Sequence, residues 1–153
     1  MFKINYLVFL VLIGLTQSIN AKEIKQLSYQ QIYSNTFITT IAKSKLGLTY
    51  RWGGNGPYAY DCSGFTKEVF EKTGINIPRN SWKQAEVGKK VSKKHLKKGD
   101  LIFFNSKHHF GVNHVGIYLG HGKFIHASRF HKRIVISPLR EYRRFFKWGR
   151  RLT

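Results

Sequence analysis

Residues 114–128 read HVGIYLGHGKFIHAS, and their two apolar runs, Val115–Leu119 and Lys123–Ala127, flank the turn-forming stretch Gly120-His121-Gly122. Such a pattern predicts a β-hairpin. Each arm carries a histidine, His114 just before the first run and His126 inside the second. A hairpin turning about Gly120 sets these two directly opposite each other on one face, with Cβ atoms roughly 4.5–5.5 Å apart. A two-residue turn at His121-Gly122 instead sends them to opposite faces, unless a β-bulge restores the phase.

On either side of the hairpin, Leu101–Phe104 and Ile134–Ile136 read as further short strands, punctuated by Gly99-Asp100, Gly111 and Pro138. The preceding half has a different period. Phe37, Ile38, Ile41, Ala42 and Leu46 recur at helical spacing before Gly47. A second helix fits Cys62–Lys72: Asp61 is an N-cap candidate, Phe65 and Val69 share a face, and Gly74 stands at the stop. Between the two helices, the glycines and Pro57 of TYRWGGNGPYAYDCSGF (residues 49–65) predict a tightly turned loop. Helices first and strands second indicate an α+β domain, with an antiparallel sheet packed on the Cys62 helix. The 153 residues suit one such domain, placed at 36–153, with 22–35 a linker or lead-in helix.

Residues 1–21 (MFKINYLVFLVLIGLTQSINA) combine Lys3 with an uncharged apolar stretch, as a secretory signal peptide does. An uncleaved membrane anchor is the alternative. Either way the sequence places the chain outside the cytoplasm, in the periplasm or envelope, or secreted. In that setting cysteines usually pair, yet Cys62 is the one cysteine of the chain. It is either buried and inert or used for chemistry.

The formal charge is +20, from 27 basic and 7 acidic residues. Residues 1–21 hold one of the basic residues and none of the acidic ones, so the remainder keeps +19. Such a charge favours anionic polymers or surfaces without choosing among them. The basic residues are scattered over Lys89-Lys90, Lys93-Lys94, Lys97-Lys98, Arg129–Arg133 and Arg140–Arg151. No nucleic-acid motif organises them, so a solvated face near an anionic envelope and a specific polymer site both remain open.

A cysteine at a helix start sits where the positive end of the dipole favours a thiolate, and histidine is the side chain whose ordinary pKa suits a base at neutral pH. Cys62, His114 and His126 thus form a candidate nucleophile, base and orienting partner. The competing readings are a small buried cysteine, a polar strand end and a satisfied core histidine. His95, His108, His109, His121 and His131 lie in polar or basic surroundings and read as surface residues. The spacings lack the CxxC or HExxH pairs of zinc sites, so neither a metal nor an organic cofactor is expected.

Four segments in order, YRWGGNGPYAYDCSGF (50–65), IPRNSWKQ (77–84), KGDLIFF (98–104) and HVGIYLGHGKFIHAS (114–128), resemble the successive motifs of the NlpC family of papain-like cell-wall cysteine peptidases. The resemblance implies a papain-like fold, with N-terminal helices on a central antiparallel β-sheet. It implies Cys62 as nucleophile, His114 as general base and His126 as the residue that orients it. Tyr50, Asp61, Ser63 and Arg79 would line the substrate site or assist the oxyanion, and Asp100 would be structural. The implied activity is peptidoglycan hydrolysis by a monomer, at the stem-peptide bond after γ-D-glutamate. An amidase, or a toxin-like effector with the same triad, is the nearest alternative; a cationic envelope-binding protein without essential catalysis is the alternative of another class. The segment Asn105–Asn113 and the basic, aromatic tail from Arg140 depart from the family pattern; the tail reads as a packing strand or helix, or as a polymer-binding patch.

Overall fold

The computed structural model of the chain describes residues 21–106 and 111–153. The signal-peptide reading of residues 1–21 therefore lies, but for Ala21, outside the described residues, as do His108 and His109. The chain divides into two compact units at Gln31/Ile32, and the second, Ile32–Thr153, carries the whole sheet and the site described below.

The segment read as linker or lead-in helix and the helix expected at 37–46 are one continuous helix, α1 (Ala21–Ser44), which buries Ile38, Thr39 and Ala42. Gly47, at φ +82°, turns the chain into β1 (Thr49–Tyr50). β2 (Ala59–Tyr60) runs parallel to β1, pairing Thr49 with Ala59. Then come α2 (Cys62–Glu71), the single turn α3 (Ser81–Gln84) and β3 (Lys89–Val91). β4 (Leu101–Phe104), β5 (His114–Gly120), β6 (Lys123–Ser128), β7 (Arg133–Pro138) and β8 (Phe146–Arg151) follow. Among the described residues these strands form one sheet of eight, in the order β2-β1-β7-β6-β5-β4-β8-β3, with β1 and β2 its parallel pair. No described helix is long and apolar enough to cross a membrane.

The expected strands are present, and the alternation of side chains along them builds a two-sided core. Leu101, Phe103, Val115, Ile117, Ile125 and Ala127 face α2 and meet its Phe65, Val69 and Phe70. Each of these side chains except that of Ala127 contributes about 1.5–3 kcal/mol by leaving water. Ile102, Phe104 and Phe124 point to the other face, where Leu139, Tyr142 and Phe146 cover them. All four residues of β4 are buried, which explains why LIFF reads as an unbroken apolar run.

The tail from Arg140 becomes a packing strand rather than a free patch, because β8 inserts between β4 and β3. Arg151 donates to both carboxylate oxygens of Asp100, at 2.8 and 2.7 Å, while the Lys97 amide donates to the same carboxylate. Asp100 is thus the structural turn residue it was expected to be. Three strands escaped the sequence reading. β1 and β2 are two residues each, and β3 begins with two exposed lysines; none has the length or the alternation that marks a strand.

Candidate active site

Asp61 closes the N-terminus of α2: its Oδ1 accepts from the Gly64 amide at 2.7 Å, and its backbone is extended, as an N-cap requires. Cys62 is therefore the first residue of the helix, partly exposed at its tip. The helix end does not, however, win the protonation balance. Burial pushes the Cys62 thiol up to about 11, the Asp61 carboxylate adds to this, and the backbone amides of Val115, Ser63 and Cys62 itself pull only partly the other way. The thiolate expected from the helix dipole is replaced by a neutral thiol.

The amide of Val115 that reaches this sulfur belongs to the residue directly after His114. His114 opens β5 and donates or accepts, through Nε2, a 2.8 Å hydrogen bond with Nδ1 of His126 on β6. The two rings meet edge to face, centroids 4.9 Å apart. The direct cross-strand pairing expected from a turn about Gly120 is not how they meet. The hairpin turns at His121-Gly122, both with positive φ (50° and 67°), and a bulge between Tyr118 and Gly120 restores the phase. The register then pairs Tyr118 with Phe124 and Ile117 with Ile125, so that Gly116 faces His126 and His114 lies diagonally across from it. Only glycine fits between them. A Cβ at position 116 would sit 2.8 Å from the Phe124 ring, 2.9 Å from the Ile125 carbonyl oxygen and 3.1 Å from the His126 Cβ.

His126 is almost sealed, at 1% exposure. Its ring stacks on Phe124 with centroids 4.6 Å apart and meets Tyr142 edge-on at 5.5 Å. Its Nε2 is 3.1 Å from the hydroxyl of Ser137 on β7, a buried residue that sequence reasoning did not single out. Burial lowers the pKa of both rings, to about 4 for His114 and about 2 for His126, where the charges of His114 and His131 also contribute. Both imidazoles are neutral at pH 7.

A cleft of about 410 Å³ opens over Cys62, lined in part by Trp52, Asp61, Ser63, Arg79, Trp82 and Asn113. Arg79 holds its wall together. Its guanidinium donates to both Asp61 oxygens at 2.9 and 2.7 Å, to the Ser63 hydroxyl at 2.9 Å and to the Gly54 carbonyl at 3.1 Å. Asp61, Ser63 and Arg79 thus lie at the cleft, but their polar groups are largely spent on one another. Tyr50 stands beside Cys62; burial and the nearby Cys62 and Asp61 charges raise its phenol above the ordinary value, so it remains a donor.

Gln84 was also missed. Fully buried, it donates to the Ser63 and Pro78 carbonyls at 3.0 and 2.7 Å and accepts from Thr66 at 2.8 Å, bracing the first turn of α2. Nothing in a linear pattern marks this residue, because two of its three partners, Ser63 and Thr66, lie 21 and 18 residues away on α2. Trp52 and Trp82 are exposed at the cleft, at 79% and 50%. The Arg129 guanidinium lies 5.9 Å from the Trp52 ring centre.

Residues 47–149 match the profile of the NlpC/P60 family. A probable endopeptidase p60 of Listeria innocua is 50% identical over 87 residues, which are 57% of this chain and 18% of that protein. A gamma-D-glutamyl-L-lysine dipeptidyl-peptidase of Bacillus cereus is 46% identical over 98 residues, 63% of this chain and 29% of that protein. The chain therefore spans less than a third of the length of these relatives. The crystal structure of an NlpC/P60 family protein from Bacillus cereus superposes with a TM-score of 0.72 at 40% identity, over 76% of this chain and 39% of that one. That of the NlpC/p60 domain of the peptidoglycan hydrolase SagA superposes with a TM-score of 0.70 at 32% identity, over 77% of this chain and 98% of that one.

Proposed function

The chain belongs to the NlpC/P60 family, and on that premise we propose that it is an exported cysteine peptidase that hydrolyses the stem peptides of peptidoglycan. The observation that carries the proposal is the joint placement of Cys62 at a helix tip in an open cleft and, next to the Val115 amide that reaches its sulfur, a base already bonded to an orienting partner. His114 is the base, and His126 orients it. The likeness to a protein named for its action on γ-D-glutamyl-L-lysine supports the bond after γ-D-glutamate as the target.

Because thiol and imidazole are both neutral at rest, the sulfur is activated as it reacts. His114 accepts the Sγ proton while the sulfur attacks the amide carbonyl carbon. The developing oxyanion is met by the Cys62 amide at the start of α2 and by the Tyr50 hydroxyl. The C–N bond then breaks, His114 returns the proton to the leaving amine, and a thioester remains. Water attacks the thioester, giving its proton to His114, and the peptide leaves as a carboxylic acid while the thiol is restored. Asp61, Ser63 and Arg79 form the rigid wall against which the peptide lies. The lysines at 89, 90, 94 and 97, which line a separate cavity of about 550 Å³, suit retention at an anionic envelope polymer.

Cys62→Ala should leave the thermal unfolding curve in place and abolish release of stem-peptide fragments from purified sacculi. Mass spectrometry of the digest reads the bond: fragments ending in γ-D-glutamate support the assignment, and stem peptides freed whole from the glycan make the protein an amidase instead.

A further inference from the structure

His126 holds one proton and has two ring nitrogens, and both are engaged. Its Nδ1 is 2.8 Å from His114 Nε2 and its Nε2 is 3.1 Å from the Ser137 hydroxyl. The ring faces that remain are covered by Phe124 and Tyr142, so an apolar shell surrounds the rest of it. This leaves two arrangements of protons along the line Ser137, His126, His114. In one, the serine hydroxyl donates to His126 Nε2, whose Nδ1–H donates to His114 Nε2; His114 then carries its own proton on Nδ1 and has no lone pair left for a thiol. In the other, His114 Nε2–H donates to His126 Nδ1, and His126 Nε2–H donates to the serine oxygen; His114 Nδ1 is then a free base. Only the second arrangement serves the chemistry proposed above, on which this inference rests.

We infer that Ser137 is a positioning residue: by accepting the His126 Nε2 proton it holds His126 in the tautomer that leaves the Nδ1 lone pair of His114 open to Cys62. The strand register makes this possible. Ser137 pairs across β6 with Phe124, one step diagonal from His126, as His114 is on the opposite flank. The three side chains thus form a diagonal line over β5, β6 and β7. Ser137 is 4% exposed, and its hydroxyl accepts or donates by rotation.

The experiment uses the full chain and needs no wall substrate. Ser137→Ala removes the acceptor, leaving a buried N–H unpaired in the reactive tautomer, which should shift that population about ten- to a hundredfold. The expected results are a His126 15N spectrum moving from the Nε2–H to the Nδ1–H form, a drop of at least about tenfold in Cys62 alkylation by iodoacetamide, and a cooperative unfolding transition retained at a modestly lowered midpoint. Ser137→Thr, which keeps the hydroxyl on a β-branched strand residue, should restore both readouts. If the alanine variant keeps the Nε2–H signal and the parental alkylation rate, or if it changes them only by unfolding while threonine fails to rescue, the relay is wrong. A protein that shows the tautomer shift but never digests sacculi would instead overturn the peptidase reading and leave the relay standing.

Discussion

In the proposed mechanism Cys62 and His114 divide the work of activation in a way that the sequence motif does not reveal. The thiol is held near 11 and the imidazole near 4, in each case chiefly because burial disfavours the charged form. As the proposed base, His114 would act unprotonated, so activity should be lost only as pH falls through its lowered value, not through the ordinary 6.5. Its ring faces those of His126 and Phe104, and the charge of His131 acts on His126 from beyond. The acid limb of kcat/KM is therefore expected near pH 4 with a plateau above it; a limb at the ordinary histidine value would show a solvated base. The meeting of His114 with His126 was readable from sequence, and both, like Cys62, stand in recognisable motifs. Their protonation was not, since the helix dipole acts locally, whereas the burial that defeats it comes from a core assembled from separate stretches of chain.

The hairpin of β5 and β6 and the first turn of α2 set the site through two glycines. Gly116 clears the space in front of His126, and Gly64 lets the loop carrying Gly54 lie directly on α2, where any Cβ would collide with the Gly54 carbonyl oxygen. Gly116→Ala should displace His126 or part β5 from β6. The expected outcome is a destabilisation of about 1–3 kcal/mol in denaturant unfolding, typical of overpacking, together with loss of peptidase activity larger than the stability change explains. An alanine variant with parental activity would mean the diagonal pair does not depend on that gap. The hairpin itself could be anticipated from alternation, but its register could not. The sequence allows an even register or a bulge, and what selects the bulge is the type I′ turn that His121 and Gly122 adopt together with positive φ at Gly120.

The molecule as a whole is tied together by contacts far apart in the chain, and these were the least readable part. β8 crosses back between β4 and β3, fastened by the Arg151 pair to an Asp100 that is 2% exposed. Removing one partner of a buried pair leaves the other charge uncompensated, so Arg151→Ala should lower unfolding free energy by about 3 kcal/mol, read as a reduced denaturant midpoint with an unchanged slope. A tail of arginines and aromatics looks like a binding patch until the strand it enters is known; position in the sheet, not composition, decides. The same sheet leaves β3 as one rim, with Lys89 and Lys90 exposed upon it. A second copy approaching that rim to add its own strand would bring ammonium groups against ammonium groups, so the unpaired amides there are guarded against amyloid-like stacking by electrostatic repulsion. The guard weakens as ions screen it, which makes concentrated brine, rather than dilute buffer, the medium in which such stacking would begin.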